Sequence, residues 1–248
     1  MYAWKCWRDG RGRVIIYLIA LPVICVFFTY INIGFNKNQA LARTFAPDVA
    51  HAWANNCAFV LGSCASLFTL IWALFLGASS LGEEFKEKTA EFLLVRPRPR
   101  SYWVWMGWSV GVGEISVTVF AAVAATFGAL ACFTGHVPSW RPLAIALPLA
   151  LGGAVIYGMT CFMAIVARSG REGLSYGLGI LVIHLVLPIA VSYYWKVDVP
   201  SVLGFMIGAS KWIVGIARDF PFGSLVLWTA VALVFPFASQ LLLQRADV

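Results

Sequence analysis

Apolar residues in this chain come in long unbroken runs, not in the alternating or striped patterns of a water-facing domain. Six runs reach spanning length, at roughly 14–33, 57–81, 102–133, 143–167, 174–194 and 224–242. About 20 apolar residues cross a bilayer core of about 30 Å, so each run predicts a transmembrane helix. The third is long enough to include an interfacial or bent portion. Gly and Pro interrupt several runs, as bundled membrane helices tolerate. The predicted fold is an all-α polytopic membrane protein, a single transmembrane domain over 1–248.

The polar gaps predict how the runs are joined. Residues 34–56 are read as a loop with a polar Asn/Gln start, 134–142 as a tight turn marked by Gly and two Pro, and 168–173 as a short turn. Residues 195–223 are apolar but broken by Gly204, Gly208 and Gly215, and a Pro follows at 221. They are read as a re-entrant hairpin of two short helices before the sixth span. A true seventh span, reversing the C-terminus, is the alternative. Residues 1–13 mix Tyr2, Trp4 and Trp7 with Lys5, Arg8 and Arg11, a composition suited to an interfacial segment in the headgroup layer or to a positive flank that orients the first helix. That first run has no clear small-residue cleavage site and is read as a retained helix.

Composition agrees: 61% of residues are hydrophobic and only 12% charged, too much apolar surface for a soluble domain. The net charge of +7 raises the question of nucleic acid, but its distribution points to lipid and topology. With the N-terminus inside, 12 Lys and Arg fall in inner segments and 6 in outer ones. The positive-inside rule then puts both termini in the cytoplasm of a multi-pass cell (inner) membrane protein. The six cysteines form no CxxC pair and the three histidines are far apart. Neither a zinc site nor a disulfide framework is expected, and the cysteines read as small packed hydrophobes.

Between the second and third runs lies one dense charged island, Leu81–Trp103, with nine charged residues. Glu83 to Val95 has no Gly or Pro and is rich in helix formers. Leu81, Phe85, Thr89 and Phe92 make a helical stripe; Glu83, Glu84, Lys86, Glu87 and Glu91 face largely the other way, with Glu83–Lys86 and Glu84–Lys88 at supportive spacings. The acidic residues come first, where a helix end is positive. Arg96-Pro97-Arg98-Pro99-Arg100 stops the helix and carries arginines for anionic headgroups. This predicts a short amphipathic helix at the cytoplasmic surface, held between two spans and suited to docking a partner; the plainer reading is a solvated loop obeying the positive-inside rule.

The stretch "EEFKEKTAEFLLVRPRPR" resembles the loop after helix two in permease subunits of ABC-2 type transporters. Glu84, Thr89, Glu91, Leu93, Leu94, Pro97 and Arg100 match that pattern, while Lys88 replaces its usual Gly and Gly107 stands where a Lys often begins the next span. The motif covers under a tenth of the chain; the six-span layout extends the likeness over nearly all of it. The resemblance implies a permease subunit, more an exporter than an importer, pairing as a homo- or heterodimer. A separate cytosolic ATPase subunit would dock on the 82–100 loop as a coupling helix, through Glu83, Glu84, Phe85, Glu87, Thr89, Glu91, Phe92, Leu93, Pro97 and Arg100. ATP and Mg would belong to that partner. This chain would bind no cofactor or metal, catalyse nothing itself, and contact lipid but no nucleic acid.

The residues agree that the chain has no nucleotide site. "GASSLGEE" has the glycine spacing of a phosphate loop, but Glu83 and Glu84 stand where Lys and Ser/Thr would be needed and would repel phosphate. One alternative is a non-transporting relative that relays ATPase motion to an external partner. Another is an intramembrane protease: "EEFKEK" resembles the paired-Glu start of membrane CAAX-type proteases, but Lys88 replaces the required Arg and only His184 lies deep in a later span. Glu114 is the only acidic residue well inside a predicted span, a costly placement that marks a pathway or helix-interface candidate. His184, beside Pro188, is read as a packed or hydrogen-bonded histidine or as a proton relay. Gly107/Gly111 and Gly173/Gly177 form GxxxG pairs, close-packing faces that give weak support to dimerisation.

Overall fold

The computed structural model describes residues 2–42, 60–79, 99–134, 141–196, 200–213 and 222–245. These form α1 (Tyr2–Ala42), a π-turn (Val60–Ala65) running into α2 (Ser66–Ala78), α3 (Arg100–Thr134), a single turn α4 (Arg141–Ala144), α5 (Ala146–Val166), α6 (Gly170–Trp195), α7 (Val202–Ile213) and α8 (Phe222–Arg245). No strand occurs among the described residues. Six segments are long and apolar enough to cross a membrane: 12–34, 60–78, 101–133, 146–166, 170–195 and 222–245. They coincide with the six apolar runs.

Contacts between named residues fix the directions of the helices. Tyr30 and Phe133 rings lie 5.7 Å apart near one end of α1 and α3, and Arg13 is within electrostatic reach of Glu114 nearer the other, so α1 and α3 run parallel. Trp105 Nε1 of α3 donates to Gln240 Oε1 of α8 at 2.8 Å, and Val104 clusters with Ile165 and Leu243, so α3 runs against α5 and α8. The spans therefore alternate, and the start of α1 and the end of α8 lie at the same end of the bundle.

The helix at the centre is α5. It touches α2, α3, α6, α7 and α8, and 16 of its 21 residues are buried. Lipid is as apolar as Leu, so packing rather than water exclusion must hold such a helix. Small residues supply it: a Cβ on Gly153 would meet Ile115 at 2.7 Å and Thr69 at 3.0 Å, and one on Gly77 would meet the Tyr157 carbonyl at 2.7 Å. Four buried threonine hydroxyls are satisfied locally. Thr29, Thr118, Thr126 and Thr160 each donate to the carbonyl four residues back at 2.7–2.8 Å, the bond available to Ser and Thr inside an apolar helix.

Three boundaries differ from the sequence expectations. The helix of α1 continues to Ala42, through the polar start of what was expected to be loop. Loss of hydrophobicity ends a span, but Phe35–Ala42 holds no Gly or Pro to end a helix. Its N-terminal part also runs unbroken from Tyr2 through position 13. The turn expected at 168–173 is tighter, since α6 already starts at Gly170. Ser169 accepts from the Glu172 N–H at 3.5 Å, and Ser-x-x-Glu is the capping-box spacing. The π-turn opening the second span was not expected. Of the proposed 195–223 hairpin, one helix is seen, α7; residues 214–221 lie outside the described residues.

Candidate functional site

The predicted docking residues Glu83, Glu84, Phe85, Glu87, Thr89, Glu91, Phe92, Leu93 and Pro97 lie outside the described residues. Arg100 opens α3. What the structure does describe is where the two helices flanking that connector go. At its start, α2 closes with the Ser79 N–H on the Phe75 carbonyl at 3.2 Å and the Ser79 hydroxyl on the Leu76 carbonyl at 3.1 Å. At its end, the Tyr102 N–H donates to the Pro99 carbonyl at 2.9 Å as α3 begins.

Both helices converge on one residue of the central helix, Tyr157, which is 2% exposed. Its hydroxyl donates to the Gly107 carbonyl of α3 at 3.0 Å. Its ring fills the space that a Cβ on Gly111 would need. On the other side its own carbonyl lies against Gly77 of α2, and one turn on, Cys161 Sγ reaches the Gly77 carbonyl at 3.5 Å. A displacement of α2 or α3 thus presses directly on α5. Sequence reading missed Tyr157. The available signal was the Gly107/Gly111 pair, whose partner proves to be this ring. Gly173 and Gly177 likewise pack within the chain, on Ala164 and Thr160 of α5.

The two membrane-embedded candidates sit in different seams. Glu114 is 6% exposed on α3, the helix against which α1 packs. Arg13 of α1 is within electrostatic reach of it. One turn on from Arg13, Tyr17 stacks on Trp72 of α2, with ring centroids 3.6 Å apart and planes inclined by 20°. Trp72 Nε1 and Thr69 Oγ1, both on α2, are buried without a hydrogen-bond partner. Thr69 touches the same point of α5 as Ile115, the residue next to Glu114. A buried carboxylate on α3 and two unsatisfied polar atoms on α2 are each costly in an apolar interior.

His184 lies on α6, away from that seam. Its Nε2 accepts the backbone N–H of Val202 at 2.8 Å, and its ring stands edge-on to Trp228 of α8, centroids 6.0 Å apart. Cys25, Cys64, Cys132 and Cys161 form no disulfide. Among the described residues no group of three or more His, Cys, Asp or Glu could hold a metal.

No protein-family model, curated protein or solved structure matches this chain.

Proposed function

We propose that this chain is the membrane-spanning permease subunit of an ATP-binding cassette transporter, an exporter that pairs with a second permease subunit in the cell membrane, termini in the cytoplasm. A separate cytosolic ATPase docks on the 82–100 connector and hydrolyses ATP with Mg. The observation that carries this reading is mechanical. The one dense charged island joins two helices that both clamp Tyr157 of the central helix. A lever must be charged where a soluble partner grips it and must be packed tightly where it delivers force. Interiors at native density transmit small shifts because they cannot compress. Motion at the island would then move α2 and α3 against α5, and Glu114, on α3 beside α1, would move with it. Glu114 is the polar group this reading assigns to the pathway.

The test is a pull-down of the tagged chain from mild detergent, beside a Glu84→Lys, Phe92→Asp variant. The expected result is a copurifying cytosolic ATPase that the variant loses while retaining its own fold and yield. If no nucleotide-binding chain copurifies with the unaltered protein under several mild conditions, the connector is a topological anchor and the proposal fails. ATP-driven flux in vesicles then separates transport from relay of motion to an external partner.

A further inference from the structure

The contact made by His184 is unusual in what it holds. The first N–H groups of a helix have no partner within it. In α7, Ser201 covers one of these: its hydroxyl accepts the Gly204 N–H at 2.9 Å. His184 covers another from a different helix, accepting the Val202 N–H. The bond fixes the tautomer. Nε2 presents its lone pair, so the ring proton is on Nδ1. Val202 is also a packing residue. With Met206 it fills the notch at Gly152 of α5, where a Cβ would come within 3.1 Å of the Val202 side chain and closer still to Met206. Val202 is 1% exposed and Met206 fully buried. The imidazole therefore pins the end of α7 that plugs the central helix.

We propose that His184 is a proton-operated latch on α7: neutral, it holds the start of that helix in the Gly152 notch; protonated at Nε2, it releases it. Taking up one proton at Nε2 converts the only acceptor into a second donor, facing the Val202 N–H. The same proton places a positive charge at the positive end of the α7 dipole. Bond loss and repulsion act in the same direction. Histidine is the side chain whose charge ordinarily changes between about pH 5 and 8.

The groups near the latch that could titrate or compensate include Lys196, which caps α6 six positions before Val202, and Cys64 of the π-turn that packs on α7. Neither α5 nor Ser66–Ala78 of α2 contains a charged residue. On α6 the charged residues are Arg171 and Glu172, three turns or more from His184; on α8 it is Arg245, at the far end from Trp228. In the α7 segment itself it is Lys211, nine positions beyond Val202. Asp198, four positions before Val202, lies outside the described residues and is the one nearby carboxyl in sequence. The inference concerns α6, α7 and α5 alone and stands or falls apart from the permease reading.

The experiment is hydrogen–deuterium exchange of the full chain in lipid nanodiscs from pH 8 to pH 5, corrected for intrinsic exchange, read over residues 202–206. The unaltered protein is expected to lose about five- to tenfold in protection there as pH falls, the size of one lost cap bond. His184→Gln keeps an acceptor that cannot titrate and should hold its protection across the whole range. His184→Phe keeps the ring but no acceptor and should be poorly protected at every pH. Asp198→Asn should follow the unaltered protein. Flat protection in the unaltered protein across the range, a titration that survives in His184→Gln, or one abolished by Asp198→Asn overturns the latch. The first and third of these need no His184 variant to fold.

Discussion

Helices α5 and α6 are neighbours in sequence, joined by Ala167–Ser169, and both are apolar enough to span a membrane. Yet 78% of the apolar window of α5 is buried inside the chain, against 11% of that of α6. Hydropathy registers only that both avoid water. What separates them is where small residues lie. On α5, Gly152, Gly153 and Gly158 each approach a different neighbour: α7, α2 with α3, and α8 with α3. On α6, Gly173 and Gly177 face α5, while Gly179 faces open space. In lipid, a helix becomes central by letting others come close.

The sharpest way to break that comparison is to add one methyl group at matched sites. A Cβ on Gly173 would fall on the backbone of Ala164, and neither backbone can rotate out of the way. Gly173→Ala is expected to destabilise by about 3 kcal/mol, the upper part of the range for overpacking. Gly179→Ala, in the same helix, should be neutral or stabilising by up to about 1 kcal/mol through helix propensity. Thermal unfolding in one detergent compares them directly. Equal behaviour of the two would mean that α6 does not rest on α5.

A somewhat smaller effect is expected where the obstacle is a side chain. Gly111→Ala must push the Tyr157 ring aside and is expected to cost about 2 kcal/mol. Tyr157→Phe removes only the hydrogen bond to Gly107 and should cost about 1 kcal/mol. With Tyr157→Leu the ring is gone, so adding Gly111→Ala to that background should cost much less than it does alone. A double-mutant cycle reads this coupling. Strict additivity would remove the Tyr157 ring as the point where α3 presses on α5.

Which parts were legible follows from the same physics. The six spans were, because burial in lipid needs only length and apolarity; each observed segment overlaps its predicted run. Helix ends were less so. The capping box at Ser169 was written in the sequence and outweighed by the Gly-Arg-Glu-Gly look of a turn, and the end of α1 was placed at its loss of hydrophobicity. The packing order was not legible. Gly111 shows that some helix comes close, but nothing local names Tyr157, 46 positions later, as the side chain it admits. Glu114 was identified as exceptional from its charge alone, whereas its seam needed the parallel pairing of α1 with α3 to bring Arg13 near. The His184 bond to Val202 spans a chain reversal whose geometry no periodicity encodes.

The smallest predicted effects compare two threonines bordering α5. Thr160, on α5, donates to the Ile156 carbonyl at 2.8 Å; Thr69, on α2, is fully buried and its hydroxyl has no partner. Valine has nearly the same shape as threonine without the hydroxyl. Thr160→Val should therefore lose about 0.5–1 kcal/mol, the usual net value of such a bond. Thr69→Val should go the other way, gaining about 1 kcal/mol, because an unsatisfied buried hydroxyl is replaced by a methyl group. Opposite signs in paired thermal melts would show that the Thr69 hydroxyl is dry in the resting protein. If Thr69→Val instead destabilises, the hydroxyl is engaged in the membrane, by water or by a bound polar group. The packed face of α2 beside Gly153 of α5 would then be hydrated at rest.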